Sequence, residues 1–492
     1  MNQTILTIHM EQAFIIWITA LSFAVGSPLD DYVHTPDHHY NFSELNMKKG
    51  PGYTLYVYNM TSLKWKSEAN SDHPIWWHYL EITIPDKIVH KDTALMLIDG
   101  GHNTPKWSPV DEAFVAMTTA LAVSTGSVCA DLKMIPNQPI MFKADPTKRH
   151  RTEDAIIAWT WRKFVENNGT DPEIIMQFPM TKAAVRGLDT IASVVKTKTG
   201  VNIDKFVVTG ASKRGWITWL TGAVDKRVIA IAPIVMDLLN FVQNLHHHYR
   251  SLGGWTFEFK EYYKENFTGY LDNPLTQKMA SYIDPLAYND RYETVHKMII
   301  TSSGDEFFLT DDSHYYYNQL AGPKYLRIVP DAEHTLIGHL TDTMLSLRAF
   351  YLSILTNKDL PKMFWKREIT SIGGRITLFT NMKPKTVKAK FAVTTDTKRR
   401  DFRLFVGEPG NPTHKYPHPV LWFSDKIKDF GNNTFVAEYD NPLDGRWLGF
   451  FIQVTFDGVD GSVEEYTTEA QIIPDVFPFP DCHGKECHGS LV

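Results

Sequence analysis

VNIDKFVVTGASKRGWITWLTG, residues 201–222, is the stretch on which the fold turns. Lys205 to Thr209 reads as a short buried strand, Gly210-Ala211-Ser212 as a tight turn, and Lys213 to Thr221 as the start of a helix. That layout is a nucleophile elbow, in which a serine sits in a strained backbone conformation at the tip of a central strand and needs small neighbours. Gly210 and Ala211 supply them, and the amides opening the next helix favour the anion that acyl transfer creates. The second glycine, Gly215, comes one residue late for Gly-x-Ser-x-Gly. A plainer reading of the same stretch is a glycine turn with Ser212 as helix cap.

Working outward, alternating strands and helices flank the elbow. Ala94 to Ile98 is a wholly apolar strand running into Asp99-Gly100-Gly101, where a hydrolase of this kind exposes an oxyanion-binding amide. Gly101 and Lys213 are the expected oxyanion donors, and the Lys213 side chain is expected to add charge there. Ala113 to Val123 and Asp154 to Val165 read as helices, Ser127 to Leu132 as a strand, and Ala184, Leu188, Ile191 and Val195 recur at helical spacing. This rhythm predicts an α/β fold with a mostly parallel sheet. Tyr53 to Pro85 reads as an antiparallel entry to it.

After the elbow helix, the strand Val228 to Val235 ends at Met236-Asp237, and residues 238–290 read as a helical cap inserted over the sheet. His246, His247 and His248 point different ways round a helix, so no metal site is expected of them. Two further strands, Met298 to Ser302 and Tyr325 to Val329, run into Asp305 and His334. Serine, acid and histidine thus follow three strands in the order of an α/β-hydrolase triad, with Ser212 as nucleophile, His334 as base and Asp305 as orienting acid. Asp237 is the rival acid and Asp311 a weaker one. The chemistry needs neither metal nor organic cofactor.

Beyond Pro361, period-two alternation through Ile376 and Leu378, Val387 to Val393, Phe402 to Val406 and Phe450 to Phe456 predicts a β-sandwich over 365–475. The expected organisation is a signal peptide at 1–26, a hydrolase domain at 35–360, the sandwich, and a flexible tail at 476–492. The apolar run Ala13 to Val25 is too short for a bilayer, and nothing after residue 30 looks like a membrane span. Sequons at Asn41, Asn59, Asn168, Asn266 and Asn432, and a Cys482–Cys487 pair read as a small disulfide, agree with secretion to the extracellular space. Cys129 reads as a buried thiol. A net charge of −6, with 43% hydrophobic and 22% charged residues, describes a globular protein and gives no reason to expect nucleic acid.

The motifs GASKRGW (210–216), SGDEFF (303–308), IPNQP (135–139) and RTEDAIIAWTW (151–161) together resemble the PhoPQ-activated pathogenicity-related family over about residues 35–475. The resemblance implies an α/β-hydrolase-type domain, secretion, and links to bacterial virulence or to repression of cell proliferation. Two functions are therefore expected in competition. One is hydrolysis of a small ester or amide substrate. The other is signalling through a cell-surface receptor or glycan, on a hydrolase scaffold without turnover.

Overall fold

The computed structural model describes residues 26–104, 112–408 and 410–492. Apart from Gly26, the leader expected at 1–26 lies outside them. Among the described residues one nine-stranded sheet carries β1 (Asn41–Gly50), β2 (Tyr53–Lys64), β3 (Ile75–Pro85), β4 (Thr93–Ile98), β5 (Val128–Leu132), β6 (Lys205–Ala211), β7 (Val228–Ile234), β8 (His296–Ser302) and β9 (Lys324–Val329). Their spatial order is β1-β2-β3-β5-β4-β6-β7-β8-β9. The first three strands and the β3–β5 pairing are antiparallel, and every pairing from β5 to β9 is parallel.

The helices in chain order are α1 (Pro28–His34), α2 (Ala113–Thr125), α3 (Asp154–Glu166), α4 (Gln177–Thr199), α5 (Lys213–Val224), α6 (Phe241–Leu252), α7 (Lys260–Lys264), α8 (Pro274–Ile283) and α9 (Leu340–Leu355). The parallel strands are apolar at consecutive positions because both faces are covered. Leu95, Val207 and Met298 pack in one layer with Leu121 of α2 and Leu347 and Phe350 of α9. Their neighbours Met96, Val208 and Ile299 pack in the opposite layer with Leu188 of α4 and Ile217 of α5. Helices α6, α7 and α8 and short 3-10 turns fill the connection between β7 and β8, the segment read as a cap. Helix α1 lies upstream of the expected domain start at 35; its Leu29 and Val33 are buried, and Asp30 pairs with Arg291 at 2.7 Å.

Two antiparallel sheets follow. One joins Met363–Ile369, Gly373–Thr380, Thr434–Asp440 and Lys428–Asp429. The other joins Phe423–Asp425, Thr386–Val393, Leu448–Asp457 and Val463–Thr467, with Gln471–Ile473 also on Leu448–Asp457. Ile376, Leu378, Phe450 and Ile452 are buried in the same layer as α9. Arg327 of β9, fully buried, lies 3.3 Å from Glu465, and the Ile328 amide donates to the Thr467 hydroxyl at 3.0 Å. Phe402, expected in a strand, is instead a buried loop residue; the strand there is Phe405–Glu408, paired with Asn411–Pro417.

The terminus expected as a flexible tail is docked. Cys482 and Cys487 form a disulfide, and both are buried. The Trp255 indole N–H donates to the Cys487 carbonyl at 2.8 Å, its backbone N–H to Ser490 at 2.8 Å, and the Val492 N–H returns to the Trp255 carbonyl at 2.8 Å. The His488 ring stacks on Tyr263 with centroids 4.2 Å apart. These contacts give the buried Trp255 indole its acceptor, sparing it the cost of an unsatisfied donor. Cys129 is buried and unpaired, and burial pushes its thiol pKa upward.

Candidate active site

The elbow takes the form its sequence predicts. Ser212 stands between β6 and α5 at φ 58° and ψ −128°, a conformation costing a non-glycine residue on the order of 1–3 kcal/mol. The surroundings enforce it: the Ser212 amide donates to the Ile234 carbonyl at 2.8 Å, and its carbonyl accepts from Trp216 at 3.1 Å. A Cβ on Gly210 would come within 2.8 Å of the Arg214 carbonyl oxygen. One on Gly215 would meet Met236 Cβ at 2.8 Å. Gly215 is thus the residue that lets α5 pass close to the end of β7, one position later than in the usual motif.

The three expected side chains are brought together from the ends of β6, β8 and β9. Ser212 Oγ lies 2.8 Å from His334 Nε2, and His334 Nδ1 lies 2.9 Å from each Asp305 oxygen. Asp305 is held in turn by the Phe307 and Phe308 amides, at 2.7 and 3.1 Å, and by the Ser302 hydroxyl at 3.2 Å. The Glu306 carboxylate accepts the His334 backbone N–H at 2.9 Å, and the Phe307 ring covers the imidazole with centroids 4.5 Å apart. With an acceptor on its Nδ1 side, the neutral ring carries its proton there and leaves Nε2 free to accept the serine proton. Burial works to lower the imidazole pKa, but the charge and hydrogen bond of Asp305 outweigh it and the net shift is upward. Burial, together with the neighbouring Asp305, pushes the Glu306 carboxyl up to about 7.

The rival acids are engaged elsewhere. Asp237 accepts from the Tyr316 hydroxyl, and burial pushes its carboxyl up to about 7. Asp311 is bound to Arg400 at 2.5 Å and to His247 at 3.0 Å. That contact also accounts for His247, the middle member of the triplet; His246 bonds Asp272 and Asp481, and His248 packs between Trp255 and Phe259.

The side chain of Lys213 turns away from the expected role. Its Nζ lies 3.0 Å from Glu153 and 3.2 Å from Asp154, so its charge is neutralised at the head of α3. Its backbone N–H, in the first turn of α5, has no carbonyl partner within the helix. The other expected donor, Gly101, sits exposed at φ 122°, after a turn pinned by the Gly100 N–H on Asp99 Oδ1 at 2.6 Å and by the Met134 N–H on the Gly100 carbonyl at 2.7 Å. A Cβ on Gly100 would stand 2.8 Å from Arg214 Nη2 and push that guanidinium aside.

Glu153 and Arg214 are the functional neighbours that sequence reasoning missed. Arg214 donates to Glu153 at 2.7 Å and to the Ile135 carbonyl at 2.6 Å, tying the elbow to the loop beside the glycine pair. Burial alone would raise the Glu153 carboxyl, but Lys213 and Arg214 hold it well below the usual range. The signal was present, since opposite charges stand inside two of the quoted motifs, GASKRGW and RTEDAII.

Two cavities meet at Ser212. One, of about 350 Å³, is bordered by Gly100, Ser212 and His334 and runs between α2 and α9. The other, about 40 Å³, is enclosed by rings including Trp161, Trp216, Phe259 and Phe307 under α6 and α7. Among the described residues, His246 with Cys482 and Cys487 is the group whose atoms come close enough to hold a metal ion, but both sulfurs are spent in the disulfide.

A mostly parallel sheet with serine, acid and histidine after β6, β8 and β9, the serine on a strained strand-to-helix turn, defines an α/β-hydrolase-type scaffold. The chain belongs to the PhoPQ-activated pathogenicity-related protein family, whose model matches residues 29–403. It is 36% identical over 488 residues to autocrine proliferation repressor protein A of Dictyostelium discoideum, covering 96% of both chains. Among solved structures it is loosely similar to acetyl xylan esterase 1 from Thermoanaerobacterium sp. JW/SL YS485, at 15% identity and TM-score 0.44 over 64% of this chain and 90% of that one. The acetyl xylan esterase from Paenibacillus sp. R4 matches at 13% identity and TM-score 0.46 over 65% and 91%. The class rests on the sheet order and the elbow.

Proposed function

We propose that this protein is a secreted serine hydrolase that cleaves an ester or amide through Ser212, His334 and Asp305. The observation that carries the proposal is the unbroken hydrogen-bond chain from Ser212 Oγ through both ring nitrogens of His334 to Asp305. As Ser212 Oγ bonds to the substrate carbonyl carbon, its proton passes to His334 Nε2 and the carbonyl π pair moves to oxygen. The backbone amides of Lys213 and Gly101 hold that oxyanion, and Asp305 stabilises the imidazolium. Collapse expels the alcohol or amine, which takes the Nε2 proton; water then repeats the sequence on the acyl-serine and releases the acid. Ser212→Ala keeps the small side chain the elbow needs, and should lower turnover of a responsive ester by about 10³-fold or more. Wild-type hydrolysis by the folded variant, or failure of wild type to take a fluorophosphonate label, defeats the assignment.

Secretion is supported by the disulfide and by the sequons, of which Asn41, Asn168, Asn266 and Asn432 are exposed and Asn59 half-buried. Among the described residues, no helix is long and apolar enough to cross a membrane. We read 35–360 as the catalytic unit, with 238–290 as its cap, and 365–475 as a sandwich that packs against it. The relative named as a proliferation repressor favours a second reading, in which this protein restrains cell proliferation by engaging a receptor. Full cellular potency in folded Ser212→Ala protein that no longer takes the label would select that reading over catalysis.

A further inference from the structure

The cavity beside Ser212 is walled mainly by apolar side chains. Among the described residues its titratable lining groups, Asp99, Glu153, Lys213, Arg214 and His334, belong to the elbow, its ion pairs and the glycine loop. Away from that end the walls include Leu97 of β4, Met117 and Leu121 of α2, and Leu340, Met344 and Leu347 of α9, with Thr118 and Thr343 among them. Helix α2, AFVAMTTALAVST, has no charged residue and is apolar around its circumference. Leu121 and Ala122 pack toward the sheet, Phe114, Met117 and Leu121 line this cavity, and Ala113, Ala116, Ala120 and Val123 are exposed.

We infer that the cavity binds the aliphatic acyl chain of the substrate, and that medium-chain acyl esters are the preferred class. The inference rests on the serine hydrolase reading. The carbonyl oxygen belongs to the acyl half of an ester, and Asp99 and Gly100 of the oxyanion loop border this cavity and not the ring-lined one. Size agrees: about 350 Å³ is several times the roughly 30 Å³ that one water takes in the liquid, which leaves room for a chain of several carbons. The ring-lined cavity, at about 40 Å³, takes no such chain.

The test is a p-nitrophenyl ester series from acetate to decanoate with the full chain, its Met117→Trp variant and its Met344→Trp variant. Both methionines are half-buried on different helices, and a melting curve verifies each fold. For wild type, kcat/KM should climb roughly three- to fourfold per added methylene, or on the order of 100-fold between butyrate and octanoate. Each tryptophan should flatten that climb to less than about tenfold by filling the cavity. A flat or falling wild-type profile, or an unchanged climb in both variants, overturns the inference. If no ester of any length is cleaved, it is the catalytic reading that fails. Calorimetric titration of Ser212→Ala protein with octanoate and decanoate then reads the cavity alone. Affinity that grows with length and is lost in the tryptophan variants sustains the chain site; absence of binding refutes it.

Discussion

Replacing Asp305 with asparagine tests how the triad is wired. Asp305 Oδ1 accepts two backbone N–H bonds, from Phe307 at 2.7 Å and Phe308 at 3.1 Å. Those amides cannot turn, so an asparagine must present its carbonyl oxygen to them and its NH2 toward His334 Nδ1. Facing a donor, the ring moves its proton to Nε2, which then points an N–H at Ser212 Oγ from 2.8 Å and can no longer take the serine proton. The variant also loses the charge that stabilises the imidazolium. A wrong tautomer of this kind lowers kcat by about 10⁴ in the well-studied serine protease case, so a loss of roughly 10³- to 10⁴-fold is expected. The readouts are kcat on a p-nitrophenyl ester and the rate of fluorophosphonate labelling. Asp237→Asn, whose native carboxylate is bonded to Tyr316, should cost far less. Retention of activity within about tenfold in Asp305→Asn, or a larger loss in Asp237→Asn, would falsify this wiring.

Three more outcomes are expected of the same geometry. Because the His334 pKa is raised above its ordinary 6.5 and the base must be neutral, kcat/KM should fall as pH drops through a midpoint above 6.5. The Glu306 charge contributes to that rise, so Glu306→Gln should move the midpoint to lower pH; a pH–rate profile with an unmoved or higher midpoint contradicts the assignment. Gly215→Ala places a methyl 2.8 Å from Met236 Cβ and 3.0 Å from the Ile234 carbonyl, and should cost roughly 1–3 kcal/mol. An unchanged urea midpoint would show that α5 and β7 do not cross so closely.

Much of this architecture was legible because each residue proposed for the triad follows a strand whose apolar run announces it. Ser212 and His334 could be placed in order from local signals alone, with an acid between them. The choice between Asp305 and Asp237 could not, since both follow strands; what separates them is spatial, His334 bonding Asp305 while Tyr316, 79 positions beyond Asp237, engages the other. The partners of Lys213 were hidden for the same reason, because its neighbours Glu153 and Asp154 come from a helix about sixty residues upstream. Strand β1 gave no alternation to read, its residues being almost all exposed. The docked terminus looked free because DCHGKECHG has no apolar periodicity. What holds it is hydrogen bonding of its backbone to Trp255 and the stack of His488 on Tyr263, partners more than two hundred residues upstream.

That docking sets a schedule for biosynthesis. The acceptor for the Trp255 indole is Cys487, 232 positions later, which at roughly 5–20 residues per second emerges some tens of seconds after the tryptophan. The segment that encloses the ring-lined cavity therefore waits, with Trp255 lacking this acceptor, until Cys487 has been made. Nascent chains that stop short of Cys487 should leave that tryptophan open to chaperones.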